Sequence, residues 1–177
     1  SRYGFSLVTG ELEVGEHNSG HLVTFTKAVG RRLAKDLRAD VLLIDGPPGI
    51  GCPVIASISG ADFVLAVTEP TPIAKNGLVR LLEVTRHFNV PAGVVINKFD
   101  LSKEYFLEFK EFINKKLKLK ILGEIPVDYE ILKSLMNAKP ILEYNPSSRA
   151  SVAIGRICEE VVKFIDDPYS EKDESSS

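Results

Sequence analysis

One stretch of nine residues constrains the fold of this 177-residue chain more than any other. It covers residues 41–49, and its first four residues are apolar without alternation. Such a run predicts a β-strand buried on both faces, which is typical of parallel sheets. The run ends at Asp45, and the two prolines and the glycine that follow exclude a continued strand or helix.

Asp45 is a candidate ligand-binding residue. An acid at the carboxyl end of a buried parallel strand lies at the edge where open α/β sheets bind ligands. In phosphate-transfer enzymes such an acid holds the Mg²⁺ shell, and a nearby glycine such as Gly49 offers a bare backbone N–H to the γ-phosphate. The competing interpretation is that Asp45 is a turn residue that caps the next segment.

Three further apolar runs predict strands, and amphipathic segments between them predict helices. The predicted strands are residues 63–67, 93–96 and 120–125. The predicted helices are residues 22–37, 53–59, 71–88, 102–117 and 129–137, and a last helix from Ser147 or Ser148 to Ile165. The alternation predicts an α/β fold, a three-layer α/β/α sandwich with right-handed crossovers and a mostly parallel sheet.

Polar residues follow three of the predicted strands. They are Asp45, the pair Thr68 and Glu69, and residues 97–100, which read Asn-Lys-Phe-Asp. Because the carboxyl ends of parallel strands share one edge of a sheet, we expect these groups to lie on one rim.

Composition excludes several classes of function. The formal net charge is −2, so bulk electrostatics do not suggest nucleic-acid binding. The two cysteines, Cys52 and Cys158, are far apart and form no local zinc or iron–sulfur ligand set. Because no apolar run approaches the roughly 20 residues of a membrane span, and because the cysteine usage fits a reducing compartment, we expect a cytoplasmic protein.

Residues 15–22 nearly match the phosphate-binding loop G-x-x-x-x-G-K-[ST]. His21 stands where that loop has lysine, and Leu22 stands where it has the hydroxyl that binds Mg²⁺. A turn with Asn18 or Ser19 as helix N-cap is the simpler interpretation.

Taken together, these motifs resemble the MinD/ParA class of P-loop ATPases, in particular the branch that carries an inserted ferredoxin domain. The resemblance covers about residues 4–166. Its motifs are residues 43–54, 68–71 and 97–100, with supporting similarity at residues 15–23 and 140–146.

The resemblance assigns roles at the phosphate end of a nucleotide site. It implies that Asp45 is the Walker B carboxylate, which bridges to Mg²⁺ through water, and that Gly49 is the switch residue that senses the γ-phosphate.

At the base end, the resemblance implies that Asn97 reads the adenine and that the backbone of residues 126–128 lines the base pocket. The expected nucleotide-binding residues are Asn97, Lys98, Asp100, Pro126, Val127 and Asp128.

The same resemblance describes a larger protein than these 177 residues. Such proteins hydrolyse ATP with Mg²⁺, often as homodimers, and use the cycle to switch binding of a protein partner. Their Walker A loop and the ferredoxin insert that would hold 4Fe–4S clusters are absent from this sequence. Since the chain also starts at Ser1, we expect a piece of a longer protein, incomplete at the N-terminus and inactive alone.

In this interpretation, residues 1–166 are the C-terminal part of the nucleotide-binding domain. The polar residues 167–177 are expected to form a disordered tail.

Two other functions stay open. Residues 97–100 also fit the guanine motif N-K-x-D of GTPases, in which the final acid pairs with the base, although no Ser-Ala-Lys follows the next strand. The missing phosphate loop favours a non-catalytic α/β interaction domain. A structural role for Asp100, as N-cap of the helix that begins near Ser102, competes with any role in base recognition.

Overall fold

A parallel sheet of three strands organises the later part of the chain. The structure is a computed structural model, and it describes residues 3–11 and 19–166. In chain order the strands are β1 (Val64–Thr68), β2 (Ala92–Asn97) and β3 (Ile121–Ile125). The central strand is β2, and both of its pairings are parallel. The predicted α/β class and the predicted parallel arrangement are therefore confirmed for these strands.

The register brings the strand ends to one edge. Thr68 of β1 lies opposite Ile96, and Asn97 of β2 lies opposite Ile125. The residues that follow β1, β2 and β3 therefore leave the sheet on the same side.

Helices connect and flank the strands. They are α1 (Ser19–Leu37), α2 (Cys52–Ile58), α3 (Pro72–His87), α4 (Lys103–Glu111), α5 (Tyr129–Met136), α6 (Ile141–Tyr144) and α7 (Arg149–Asp166). A 3₁₀ turn, Phe99–Leu101, precedes α4, and a π-helical stretch, Phe112–Leu117, continues it. Among the described helices, none combines the length and the apolarity that a bilayer crossing needs.

The described residues divide into two compact units. The first comprises residues up to 62 together with residues 80–90, and the second comprises residues 63–79 and those from 91 onward. The sheet belongs to the second unit. Helix α3 contributes its first half to the second unit and its second half to the first.

The core of the second unit is formed where α7 packs on β3. Val95, Leu122 and Ile157 form a buried apolar cluster, and Phe63, Ile125 and Val161 pack around it. Gly123 permits this close approach, because a Cβ there would lie 2.2 Å from Cγ1 of Ile157.

In the first unit, a buried lysine joins α1 to α2. The ammonium of Lys27 donates hydrogen bonds to the carbonyls of Ala56 at 2.6 Å, Ser57 at 3.1 Å and Ser59 at 2.5 Å. These carbonyls lie at the C-terminal end of α2, where the helix leaves its own acceptors without partners. Burial, and then the charge of Arg31, lower the pKa of Lys27.

Two predictions for the first unit are wrong. Residues 41–44 do not form a buried strand, and Leu43 is 88% exposed. The apolar stripe predicted for α1 is largely exposed as well, at Phe25, Val29 and Leu37. Within the described residues of this unit there is no strand with which residues 41–44 could pair.

Smaller differences concern the second unit and the chain ends. Residues 140–146 contain a short helix, α6, that no predicted element covers. Residues 3–11 form no strand. Residues 12–18 and 167–177 lie outside the described residues, and with them the first half of the P-loop-like segment and the tail predicted to be disordered.

We predict that Gly123→Ala destabilises the chain by about 1–3 kcal/mol, since the new methyl group overpacks the contact with Ile157. Gly155→Ala is the matched control, because a Cβ at this helical position meets nothing within 4 Å. It should instead add about 0.5–1 kcal/mol of stability. Urea unfolding of both variants measures the two effects.

The steric cause can be isolated with Ile157→Ala. Combined with Gly123→Ala, it should destabilise less than the two single changes added together, because it removes the atoms that clash. Strict additivity would contradict the proposed contact.

Candidate functional site

The predicted phosphate-end residues lie in the first unit. Asp45 is exposed and belongs to a segment without regular secondary structure, so it does not follow a strand as predicted. Gly49 has a φ of +96°, in the left-handed region that favours glycine, and a Cβ there would meet nothing within 4 Å. The backbone conformation, and not crowding, therefore requires glycine at this position.

The predicted base-end residues lie in the second unit, at the rim formed by the strand ends. Glu69 follows β1 and Lys98 follows β2, and their side chains form an ion pair at 2.6 Å. Lys98 has a φ of +54°. The backbone therefore turns sharply as it leaves β2.

Asn97 is the last residue of β2 and is half-buried. Its side-chain oxygen accepts a hydrogen bond from the backbone N–H of Lys98 at 3.0 Å. An amide oxygen has two lone pairs, so it retains capacity for a second donor, and the amide NH₂ is a donor in its own right. Such an amide can both donate a hydrogen bond to the edge of a planar base and accept one from it.

Asp100 fixes the loop that follows β3. One carboxylate oxygen accepts the backbone N–H of Val127 at 2.7 Å, and the other pairs with Nη2 of Arg149 at 3.1 Å. The hydrogen bond from Val127, followed by the contacts with Arg149, holds the pKa of Asp100 below its ordinary value. The residue is thus an anchor between two segments that are distant in sequence.

The interpretation of Asp100 as a helix N-cap is wrong. Ser102 is the N-cap of α4, and its hydroxyl accepts from the backbone N–H of Tyr105 at 3.5 Å. Asp100 lies within the short 3₁₀ turn that precedes the helix, and its carboxylate binds Val127 and Arg149 instead of the first turn of α4.

Asp128 caps two helices at once. It is the N-cap of α5, where one oxygen accepts the N–H of Glu130 at 2.9 Å. Its second oxygen accepts the N–H of Ala150, in the first turn of α7, at 3.0 Å. These two backbone hydrogen bonds, Ala150 first, hold the pKa of Asp128 below its ordinary value.

Residues 126–128 therefore form a short, firmly held connection between β3 and α5. Pro126 is buried, Val127 is tied to Asp100, and Asp128 is tied to both helix starts. A loop held in this way can present its backbone to a ligand with little loss of entropy on binding.

The structure brings together six of the predicted site residues within the second unit: Asn97, Lys98, Asp100, Pro126, Val127 and Asp128. Asp45 and Gly49 belong to the first unit. Arg149 is a participant that the sequence did not reveal, because no local pattern links it to Asp100 across 49 positions.

Comparison with known proteins identifies a family. The model of the ParA family, described as NUBPL iron-transfer P-loop NTPases, matches residues 31–162.

Three related proteins support this family assignment. An uncharacterized protein of Methanocaldococcus jannaschii is 36% identical over 92% of this chain and 52% of its own length. An uncharacterized ATP-binding protein of the same organism is 30% identical over 89% of this chain and 60% of its own length. An iron-sulfur cluster carrier protein of Aquifex aeolicus is 30% identical over 70% of this chain and 38% of its own length. The chain thus spans about half the length of the first of these relatives.

Solved structures share the fold. The MinD cell division protein of Aquifex aeolicus superposes with a TM-score of 0.67 at 21% identity, over 81% of this chain and 61% of that one. The septum site-determining protein MinD of Pyrococcus horikoshii, complexed with Mg-ADP, gives a TM-score of 0.62 at 19% identity, over 83% and 56%. Similarity at this level of identity establishes the architecture alone.

We predict that Asp128→Ala lowers the free energy of unfolding by about 2 kcal/mol, since each lost N-cap costs about 1 kcal/mol. Asp128→Asn keeps one acceptor oxygen and should lose about half as much. Urea unfolding near neutral pH measures both variants against the wild type.

The difference between wild type and Asp128→Asn should depend on pH. The folded pKa of Asp128 lies below its unfolded value, so the charged form stabilises the fold fully above about pH 4. That contribution is lost as the pH falls through the folded pKa, and the difference between the two proteins should shrink. A difference that stayed constant from neutral to acidic pH would contradict the double cap.

Proposed function

Because this chain belongs to the ParA family of P-loop NTPases, we propose that it is the later part of a longer ATP-binding and ATP-hydrolysing switch protein. In this proposal the chain contributes the Walker B segment and the adenine pocket. The observation that carries it is the rim of the second unit, where Asp100 ties the backbone of Val127 to the segment that follows Asn97.

At the phosphate end, we propose that Asp45 binds Mg²⁺ through water and that Gly49 senses the γ-phosphate. Asp45 fits a magnesium role, because it is an exposed carboxylate and hard oxygen ligands are those that Mg²⁺ prefers. Magnesium would supply charge neutralisation at the phosphates. Gly49 fits its role because its left-handed backbone presents an amide without a side chain in front of it.

At the base end, Asn97 pairs with the edge of adenine, and the backbone of residues 126–128 lines the pocket. The support is that this loop is held by side chains and does not have to become ordered on binding. Lys98, fixed by its ion pair with Glu69, borders the same rim and adds positive charge.

The GTPase alternative is weaker because Asp100 is already engaged. Both of its carboxylate oxygens have protein partners, Val127 and Arg149. Pairing with the N1 and N2 hydrogens of guanine would require the acid to give up these contacts. A non-catalytic interaction domain remains the outcome if no nucleotide binds the longer protein.

Iron–sulfur clusters, if the longer protein holds them, belong to another part of it. A 4Fe–4S cluster is normally held by four thiolates, and this chain has two cysteines, Cys52 and Cys158. These residues do not fit a resident cluster. The iron-transfer description of the family and the iron-sulfur carrier among the relatives support an inserted cluster domain in the longer protein.

A homodimer and a protein partner complete the proposal. The matching chain of a solved MinC:MinD complex from Aquifex aeolicus is 22% identical to this one, and that complex motivates the search for a protein partner.

We predict that the 177-residue chain alone does not hydrolyse ATP and binds it weakly, with a Kd of about 1 mM or above. Phosphoryl transfer depends on lysine and backbone amides around the phosphates, and the chain has no G-x-x-x-x-G-K-[ST] loop. Phosphate release and calorimetry with Mg-ATP test this. Micromolar affinity that Asp45→Asn abolishes would revive residues 15–22 as a working phosphate loop.

In the longer protein we expect ATP to bind better than GTP, and Asn97→Ala to weaken ATP binding roughly tenfold to a hundredfold, the range for a lost, buried hydrogen-bonding group. Asp100→Asn should change ATP affinity little, because an amide oxygen can still accept from Val127. Asn114→Ala is a matched control, since Asn114 is exposed and lies on a different segment.

Competition binding of ATP and GTP to the three variants separates the alternatives. A preference for GTP that Asp100→Asn removes would establish the guanine interpretation. Equal, negligible binding of both nucleotides to the longer wild-type protein would support the interaction domain.

A further inference from the structure

An exposed arginine meets the last residue of the N-K-x-D pattern. Nη2 of Arg149 lies 3.1 Å from Oδ2 of Asp100, and 67% of the arginine side chain is exposed. The other carboxylate oxygen, Oδ1, accepts the backbone N–H of Val127 at 2.7 Å. The two oxygens therefore serve different partners, one in the loop that follows β3 and one at the start of α7.

The loop that follows β3 is held without Arg149. The hydrogen bond from Val127 to Asp100 and the two hydrogen bonds that Asp128 accepts already fix residues 126–128. An ion pair as exposed as that of Arg149 and Asp100 adds little to stability, because water screens both charges. The arginine is therefore dispensable for holding the loop.

The start of α7 nevertheless places Arg149 next to that loop. Asp128 accepts the N–H of Ala150, the residue after Arg149, at 3.0 Å. Ser148, the residue before it, is buried, and its hydroxyl donates to the hydroxyl of Ser151 at 3.0 Å and accepts the N–H of Ser151 at 3.1 Å. Arg149 therefore leaves from a fixed backbone, and only its side chain can move.

Adenine and guanine differ at the atoms that a carboxylate would meet. Guanine presents two donors, N1–H and the 2-amino group, and a carboxylate can accept from both. Adenine presents an unprotonated N1, which is an acceptor, so a carboxylate that faces it leaves both groups without a donor. The base that the site favours therefore depends on whether Oδ2 of Asp100 is accessible, and Arg149 occupies that oxygen.

We propose that Arg149 sets the preference of the nucleotide site for adenine over guanine, by occupying the carboxylate oxygen of Asp100 that guanine would need. This inference rests on the proposed nucleotide site. Asp100 stands three residues after Asn97, where the guanine motif has the acid that pairs with the base. Arg149 acts through Asp100, and so it is a positioning residue.

Competition between ATP and GTP for the longer protein tests the proposal in an Arg149→Met variant. We expect the ratio of the Kd for GTP to the Kd for ATP to fall about tenfold, the size of one charge-assisted hydrogen bond that guanine gains. The lost positive charge weakens the binding of both triphosphates equally, and so does a general loosening of the pocket. Neither effect changes the ratio.

Two further variants are the controls. Arg156→Met removes an equal charge about 10 Å further along α7 and should keep the wild-type ratio. Asp100→Asn combined with Arg149→Met removes the carboxylate, and the gain for GTP should disappear with it. Circular dichroism checks that each variant is folded, and Arg149→Leu makes the same test if Arg149→Met is not.

The outcomes separate this inference from the proposed function. An unchanged ratio in Arg149→Met, in a longer protein whose wild type binds ATP, would overturn this inference and leave the proposed function intact. A gain for GTP that persists without the carboxylate of Asp100, or that Arg156→Met reproduces, would overturn it as well. Negligible binding of both nucleotides to the wild type would overturn the proposed function, and this inference with it.

Discussion

Flanking strands decide whether an apolar run of this chain forms a strand, and the cover on the two faces of the sheet decides how deeply its side chains are buried. β2 has a strand on both sides, and Val94, Val95 and Ile96 are at most 1% exposed. β1 has one neighbour, and its Val67 is 61% exposed. Residues 41–44 have the most strand-like sequence but pair with no strand among the described residues, and they do not form one. Backbone N–H and C=O groups need partners before an apolar run gains from burial, so a strand cannot form without a neighbour.

Three acidic residues of the predicted site, Asp45, Asp100 and Asp128, differ in what they bind. Asp100 and Asp128 accept backbone N–H groups, which lowers their pKa values and makes them structural anchors. Asp45 is exposed and lies outside regular structure. Acidic residues that look alike in sequence thus divide into two that hold a loop and one that is exposed. The N-K-x-D pattern at residues 97–100 illustrates the point, because its last residue is committed to Val127 and Arg149.

Features that depend on neighbours in sequence were predictable. The strands β1 to β3 follow from short apolar runs. Features that depend on partners distant in the sequence were not predictable. No local pattern indicates that Asp100 would meet Arg149, that Asp128 would cap α7 as well as α5, or that Lys27 would cap α2. The predicted strand at residues 41–44 failed for the same reason, since its periodicity was strand-like and its partner strands were missing.

β3 links the loop at residues 126–128 to one edge of the sheet. Its C-terminal end continues into residues 126–128, which Asp100 and Asp128 hold in place. Its other edge pairs with no strand among the described residues, and its Glu124 pairs with Lys110 of α4. A segment that paired with this edge would restrain the strand whose next residues form the loop proposed to contact adenine. Coupling between the edge and the loop nevertheless requires that β3 have two discrete arrangements, because a strand that is equally rigid with and without the segment transmits nothing. The close contact of Gly123 with Ile157 fixes β3 against α7, so any second arrangement must move the strand and the helix together.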